Sequence, residues 1–198
     1  MTRTRRPGLR ALGLGALAFG ASGLPGAAQA DSVTLPALMA LLAQRQHGEA
    51  DFEQVQYLAA LRQPARSSGI MIYDAPAHLE ERILQPHPSS MVLDHEQLTI
   101  RNGSRQRELR LEDYPQLAPL IDSIRATLAG DQAALEQRFE LALSGDLDHW
   151  ELQLHPRLPE SARVVQAIRI AGERDAILQV EVRQGDGDHS LMTIRPRS

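Results

Sequence analysis

The sequence predicts an α+β fold: a curled antiparallel β-sheet whose concave face is covered by helices. Three observations carry that expectation. About nine to eleven short segments alternate apolar and polar residues, the mark of strands with one covered face. Helical periodicity appears in only two places, at the start of the body and in mid-chain. An open sheet of so many strands tends to curl, which wraps its apolar face around whatever covers it.

The first helix opens at Thr34, a capping residue, with Pro36 in its first turn. Leu35, Leu38, Met39 and Leu42 then recur at helical spacing, and Gly48 is the expected stop. Period two takes over next. In Ser68–Asp74, Ile70 and Ile72 share one face, Met71 and Tyr73 the other. Leu79 and Ile83 share a face of the following strand. Met91–Leu93 and Leu98–Ile100 flank Asp94-His95-Glu96, a hairpin turn, and Leu109 and Leu111 point inward from a further strand. After Asp113-Tyr114-Pro115 the period changes, and Leu117, Leu120, Ile121, Ile124 and Leu128 form one helical stripe. Pro119 belongs in its first turn and Gly130 ends it. Asp131 caps a short second helix, from Gln132 to about Arg138. Alternation returns through Leu141 and Leu143, Trp150, Leu152 and Leu154, Ile168 and Ile170, Leu178, Val180 and Val182, and Leu191 to Arg195. Gln184–Asp188 is the turn before the last strand.

Residues 1–30 are an address. Met1–Arg10 is basic, Ala11–Ser22 is a short uncharged apolar run, and Ala28-Gln29-Ala30 offers small residues to a signal peptidase. The run is well short of the ~20 residues needed to span a bilayer, so a cleaved secretory signal is expected, with cleavage after Ala30. Pro7-Gly8 after Thr4-Arg5-Arg6 favours ordinary Sec export over the twin-arginine route. Residues 31–198 then form a single domain, not membrane-spanning, with the periplasm the expected compartment.

Charge excludes one large class of function. All 21 basic residues are Arg, and four of them lie within the first ten positions, before any acid. The body therefore has 17 Arg against 25 acids, a net charge of 17 − 25 = −8, which repels phosphate backbones. No nucleic-acid partner is expected. With no cysteine, disulfides, zinc–thiolate sites and thiol nucleophiles are excluded.

Nothing in the chain assembles into catalysis. Asp94-His95, Asp148-His149 and Asp188-His189 each flank a turn, and neighbours on a strand face opposite ways, so these pairs suit turn chemistry better than metal binding. Asp186-Gly187-Asp188 resembles the start of a calcium loop but lacks the later Glu. Glu80 and Glu81 face opposite sides of a strand, and the Ser pairs form no nucleophile elbow. No catalytic residue, metal site or cofactor is expected. What stands out is supply: three Phe and one Trp are few to fill such a sheet, and aliphatics fill that volume poorly, so a cavity is expected beneath the mid-chain stripe.

The order of features resembles the periplasmic lipoprotein carriers, the LolA-like family. The matching pieces are the N-terminal helix, Phe52-Glu53-Gln54, the run Gly69-Ile70-Met71-Ile72-Tyr73-Asp74-Ala75-Pro76, Pro86, and Met91-Val92-Leu93-Asp94 leading to Leu98. Leu154-His155-Pro156 and the strand at Ile168–Ile170 fit as well. The resemblance implies an unclosed β-barrel around a helix, lidded by helices. Its apolar interior would accept lipoprotein acyl chains or another lipid from an inner-membrane donor protein and pass them to an outer-membrane acceptor. Cavity and lid are then expected to comprise Ile70, Ile72, Ile83, Met91, Leu93, Leu117, Leu120, Ile121, Ile124, Leu128, Trp150 and Leu152. This chain departs from the family where Ala75 replaces an Arg tied to lid closure, where Ala77–Glu81 lacks aromatics, and where Asp94-His95-Glu96 replaces an Asp-Gly turn. The leading expectation is a monomeric, non-enzymatic carrier. The alternative is a regulatory or assembly module that uses the same half-barrel to bind a protein or lipidated partner.

Overall fold

Caps and periodicity set the helices. The computed structural model describes residues 32–113 and 118–197, with the side chains of 118–120 left out; residues 1–30, the expected signal segment, and Leu117 lie outside the described residues. Helix α1 (Leu35–Leu42) starts where Thr34 Oγ1 accepts the Ala37 N–H at 3.4 Å, and it buries Leu38, Met39 and Leu42. It stops at Ala43, not at Gly48 as the sequence suggested, because Gly48 pairs with Tyr73 in the sheet. Helix α2 (Ala118–Leu128) carries the mid-chain stripe, and α3 (Gln132–Arg138) follows, its Asp131 cap accepting the Ala134 N–H at 3.0 Å. Between them Gly130 has φ +65°, and a Cβ there would stand 2.2 Å from the Met39 carbonyl oxygen. The turn thus lies directly on α1, a contact only glycine permits. A single turn, α4 (Pro159–Ala162), had no signal in the periodicity.

Eleven strands form one antiparallel sheet: β1 (His47–Tyr57), β2 (Ala65–Asp74), β3 (His78–Gln85), β4 (Ser89–Asp94), β5 (Gln97–Asn102), β6 (Arg105–Arg110), β7 (Phe139–Gly145), β8 (Trp150–Pro156), β9 (Val165–Glu173), β10 (Ala176–Gln184) and β11 (His189–Pro196). Their order is β6-β5-β4-β3-β2-β1-β11-β10-β9-β8-β7. Two meanders meet where the first and last strands pair, Phe52 opposite Ile194. The edges, β6 and β7, are not paired with each other among the described residues, so the sheet stays open, and the chain crosses between them through α2 and α3.

Register assigns every side chain to a face. Tyr73, Leu79, Leu93, Leu98 and Leu109 stand opposite one another across β2–β6 on the helix-covered face. On the C-terminal side, Leu143, Leu152, Ile170 and Val180 form the corresponding row. Two apolar clusters result. One packs α1 and Leu135 against Phe139, Trp150, Leu152, Leu154, Val165, Ile168 and Ile170. The other packs Tyr73, Leu79, Leu93, Leu98 and Leu111 against Ile121, Ile124 and Leu128 of α2. The opposite face is charged, with Arg169 bridging Glu151 and Glu181 at 2.9 Å each.

Candidate functional site: an apolar hollow beneath the helices

Where the clusters meet, they leave space. A hollow of about 120 Å³ lies between α1, α2 and the central strands, and its walls are mostly apolar. Ile124, Leu128 and Leu42 line it from the helices, and Met71, Tyr73, Leu79, Ile168, Ile170, Ile177, Val180 and Ile194 line it from the sheet. An apolar cavity of roughly 150 Å³ holds one benzene, so this space has room for about four to five carbon-sized groups.

Its rim is charged. Arg45, Glu49 and Asp175 stand there, and their charges are met within the protein. Arg45 Nη2 reaches Asp175 Oδ2 at 2.6 Å, while its Nε donates to the Asp175 carbonyl at 3.2 Å. Glu49 is held by Arg197, which also grips Asp51 at 2.5 Å. The hydrogen bond from Arg197 keeps the Asp51 carboxyl below the usual aspartate range. Deeper in, Thr127 Oγ1 donates to the Ser123 carbonyl at 2.7 Å, so that hydroxyl is committed to its own helix.

The residues singled out from sequence scatter around this space. Ile124 and Leu128 border it. Ile121, Met91 and Leu93 belong to the adjoining cluster under α2. Ile83 shares the helix-covered face but sits opposite Gly69, four pairs along from Tyr73. Leu120 lies in α2, with its side chain among those left out. Two assignments need correcting. Ile70 and Ile72 stand opposite Arg82 and Glu80 on the other face of the sheet, because Met71 and Tyr73 take the covered side. Trp150 and Leu152 are 1% and 0% exposed in the packed core beneath α1 instead of along the hollow. Trp150 Nε1 donates to the Arg174 carbonyl at 2.9 Å, and a Cβ on Gly172 would come within 2.4 Å of its ring.

Sequence reasoning missed Tyr73, Arg45, Ile177 and Ile194. Tyr73 was placed on the wrong side of an even-handed alternation. Ile177 replaces Leu178 on the covered face because the β9–β10 register shifts between Ile177 and Gln179. Ile194 borders the hollow only through the β1–β11 seam, which no local pattern announces.

The Asp-His pairs serve turns and local contacts. His95 has φ +52° and its Nδ1 lies 2.7 Å from Asp94 Oδ1. Asp146 accepts the N–H groups of Asp148 and His149 at 2.9 and 2.8 Å. Asp188 accepts the Ala59 N–H at 2.7 Å, and His189 stacks on Tyr57 with centroids 4.3 Å apart.

The family described as outer membrane lipoprotein carrier protein LolA-like matches residues 27–194. The chain belongs to this family. Among solved structures, a LolA superfamily protein from Nitrosomonas europaea is 9% identical, covering 84% of this chain and 94% of its own, with a TM-score of 0.42. A putative outer membrane lipoprotein-sorting protein domain from Vibrio parahaemolyticus is 8% identical, covering 82% and 90%, with a TM-score of 0.46. A chain from the Pseudomonas aeruginosa MucA/MucB complex is 14% identical, covering 82% of this chain but 56% of its own, with a TM-score of 0.45. No curated protein sequence matches the chain.

Ala75 packs against the cluster under α2. The helix is tethered elsewhere. Arg125 of α2 donates to Glu96 Oε1 at 2.9 Å and to the His95 carbonyl at 3.3 Å. Arg125 thus ties α2 to the β4–β5 turn.

Proposed function

We propose that this protein is an exported carrier that shelters an acyl chain of a lipoprotein or other lipid in the hollow and moves it through the periplasm towards the outer membrane. The observation that carries the reading is the apolar space between α2 and the sheet, in a chain of the LolA-like family. An apolar tail inserted there leaves water without needing any catalytic group. About four to five methylenes at ~0.8 kcal/mol each supply roughly 3–4 kcal/mol before ordering costs. That range suits binding that can be reversed at a receptor. The space holds only part of one chain, so sheltering a whole acyl chain would require α2 to move outward. The Arg125–Glu96 pair, at the surface and weak, is a tether that such a movement can break.

Uptake of N-phenyl-1-naphthylamine, a dye that fluoresces in apolar sites, tests the reading directly. Wild type takes up the dye and releases it to decanoyl lipids, and Ile124→Asp, with a charge facing the hollow, loses uptake by tenfold or more at about 1.4 kcal/mol per decade. Normal uptake by a folded Ile124→Asp protein sinks the site. Mass spectrometry of protein isolated from the periplasm addresses cargo. Copurifying lipid supports carriage, whereas lipid-free protein bound to a protein partner supports the regulatory alternative.

A further inference from the structure

We propose that the end of the sheet remote from the hollow's rim docks on an anionic phospholipid membrane, Leu61 entering the headgroup layer and Arg62 and Arg66 meeting its phosphates. Five loops join strands at this end: β1–β2, β3–β4, β5–β6, β8–β9 and β10–β11. Among the described residues, five large apolar side chains stand out in water, and four of them are here. Tyr57 and Leu61 belong to the first loop, Leu84 borders the second and Leu158 lies in the fourth, each 43–55% exposed. Such side chains scattered singly need no explanation, but their gathering at one end marks an interaction surface.

Charge names the partner. No acid occurs between Glu53 and Asp74, a stretch whose only charges are Arg62 and Arg66. Counted with the strand residue on either side, the five loops hold four Arg against three acids, and Arg66 stands one residue beyond. The four strand-joining loops at the other end, counted alike, hold Arg174 against seven acids. The acidic body is thus polarised along its strands, so an anionic surface attracts one end and repels the other. The cations at the attracted end are available: Arg62, Arg66, Arg105 and Arg163 have no side-chain hydrogen bond or ion pair among the described residues. Two of its acids are turned to backbone instead. Asp188 accepts the Ala59 N–H at 2.7 Å and Asp186 the Asp188 N–H at 3.1 Å, which ties the β1–β2 loop to the last turn. Apolar side chains standing on separate loops with Arg among them suit a broad fluid surface better than a single peptide. The rim of the hollow, at Arg45 and Asp175, belongs to the acidic end and faces away from a membrane docked in this way.

Protein beginning at Asp31, which holds every described element, is mixed with sucrose-loaded vesicles and its bound fraction measured by sedimentation. Vesicles of phosphatidylcholine with an equal part of phosphatidylglycerol are expected to bind it, and vesicles of phosphatidylcholine alone are not. Arg62→Glu with Arg66→Glu is expected to weaken binding at least tenfold, at about fivefold per Arg. Leu61→Ser is expected to weaken it about fivefold, and Leu147→Ser, at the acidic end, to leave it unchanged. All these side chains are exposed, so thermal unfolding of each variant is expected to match wild type. The chain has no cysteine, so an environment-sensitive nitrobenzoxadiazole label on Leu61→Cys or Leu147→Cys reports one position at a time. It is expected to brighten on the anionic vesicles at 61 and not at 147. Absence of binding to the anionic vesicles, undiminished binding of the charge-reversed protein, or brightening at 147 in place of 61 overturns the proposal. Polyglutamate binding that depends on Arg62 and Arg66, without vesicle binding, overturns it in favour of an acidic protein partner.

Discussion

The two halves of the sheet follow one strand pattern but are filled differently. Under the C-terminal half, Trp150, Phe139, Leu152, Leu154 and Ile168 are all 1% exposed or less, locked beneath α1 and α3. Under the N-terminal half, Tyr73, Leu79, Leu93 and Leu98 retain 3–8% exposure, and Met71, Met91 and Ile100 are only partly buried. Trp150 and Phe139 pack beneath α1 and α3, whereas Tyr73 packs with aliphatics around α2 and Phe52 is buried near the seam. The hollow opens at the boundary. The half beneath α1 and α3 is thus filled more completely than the half beneath α2.

The largest expected effect breaks or sustains this contrast. Leu154→Ala should cost roughly 2–5 kcal/mol in urea unfolding, because it opens a cavity in a filled core. Leu128→Ala should cost only about 1 kcal/mol, since that side chain already borders empty space. Equal losses would show the halves to be packed alike.

A smaller effect concerns the tether. Arg125→Ala should cost less than about 1 kcal/mol of stability while speeding dye uptake in stopped-flow mixing. Unchanged kinetics would mean that α2 opens without parting from the Glu96 turn.

Glu81 sharpens the picture through pH. It stands between Met71 and Met91 on the covered face, and burial pushes its carboxyl above its ordinary 4.5. Protonated Glu81 suits the fold, so its favourable contribution is complete below about pH 4.5 and is lost as pH rises through its higher folded value. Glu81→Gln should therefore be more stable than wild type in thermal unfolding at neutral pH, with the advantage disappearing below about pH 4.5. An advantage that persists in acid would assign the effect to packing.

The smallest effect is expected on the outer face. Ile72→Ser should leave dye binding unchanged and cost about 1 kcal/mol or less. Weakened binding would return Ile72 to the interior and put the register in question.

Much of this architecture was legible in the chain because its causes are local. Thr34 and Asp131 announce helix starts by offering oxygens to exposed N–H groups, and Gly130 marks a left-handed turn. Alternation revealed the strands, and the shortage of aromatics pointed to unfilled space. Which side of an alternation faces inward was not local. Ile70-Met71-Ile72-Tyr73 is apolar on both faces, so only pairing with Gly48, Leu79 and Glu81 could put Tyr73 inside and Ile72 out.

By itself, then, the order of residues determined the strands, the helices and the shortage of filling, because each follows from neighbours along the chain. Tertiary structure decided where that shortage falls. The β1–β11 seam joins the two meanders, α1 lies over Trp150 and α2 over Tyr73, and the rim closes through Arg45 and Asp175, which are 130 residues apart. Contacts between segments so distant depend on how the whole sheet bends and on which helix reaches which face. No short stretch of sequence contains that information.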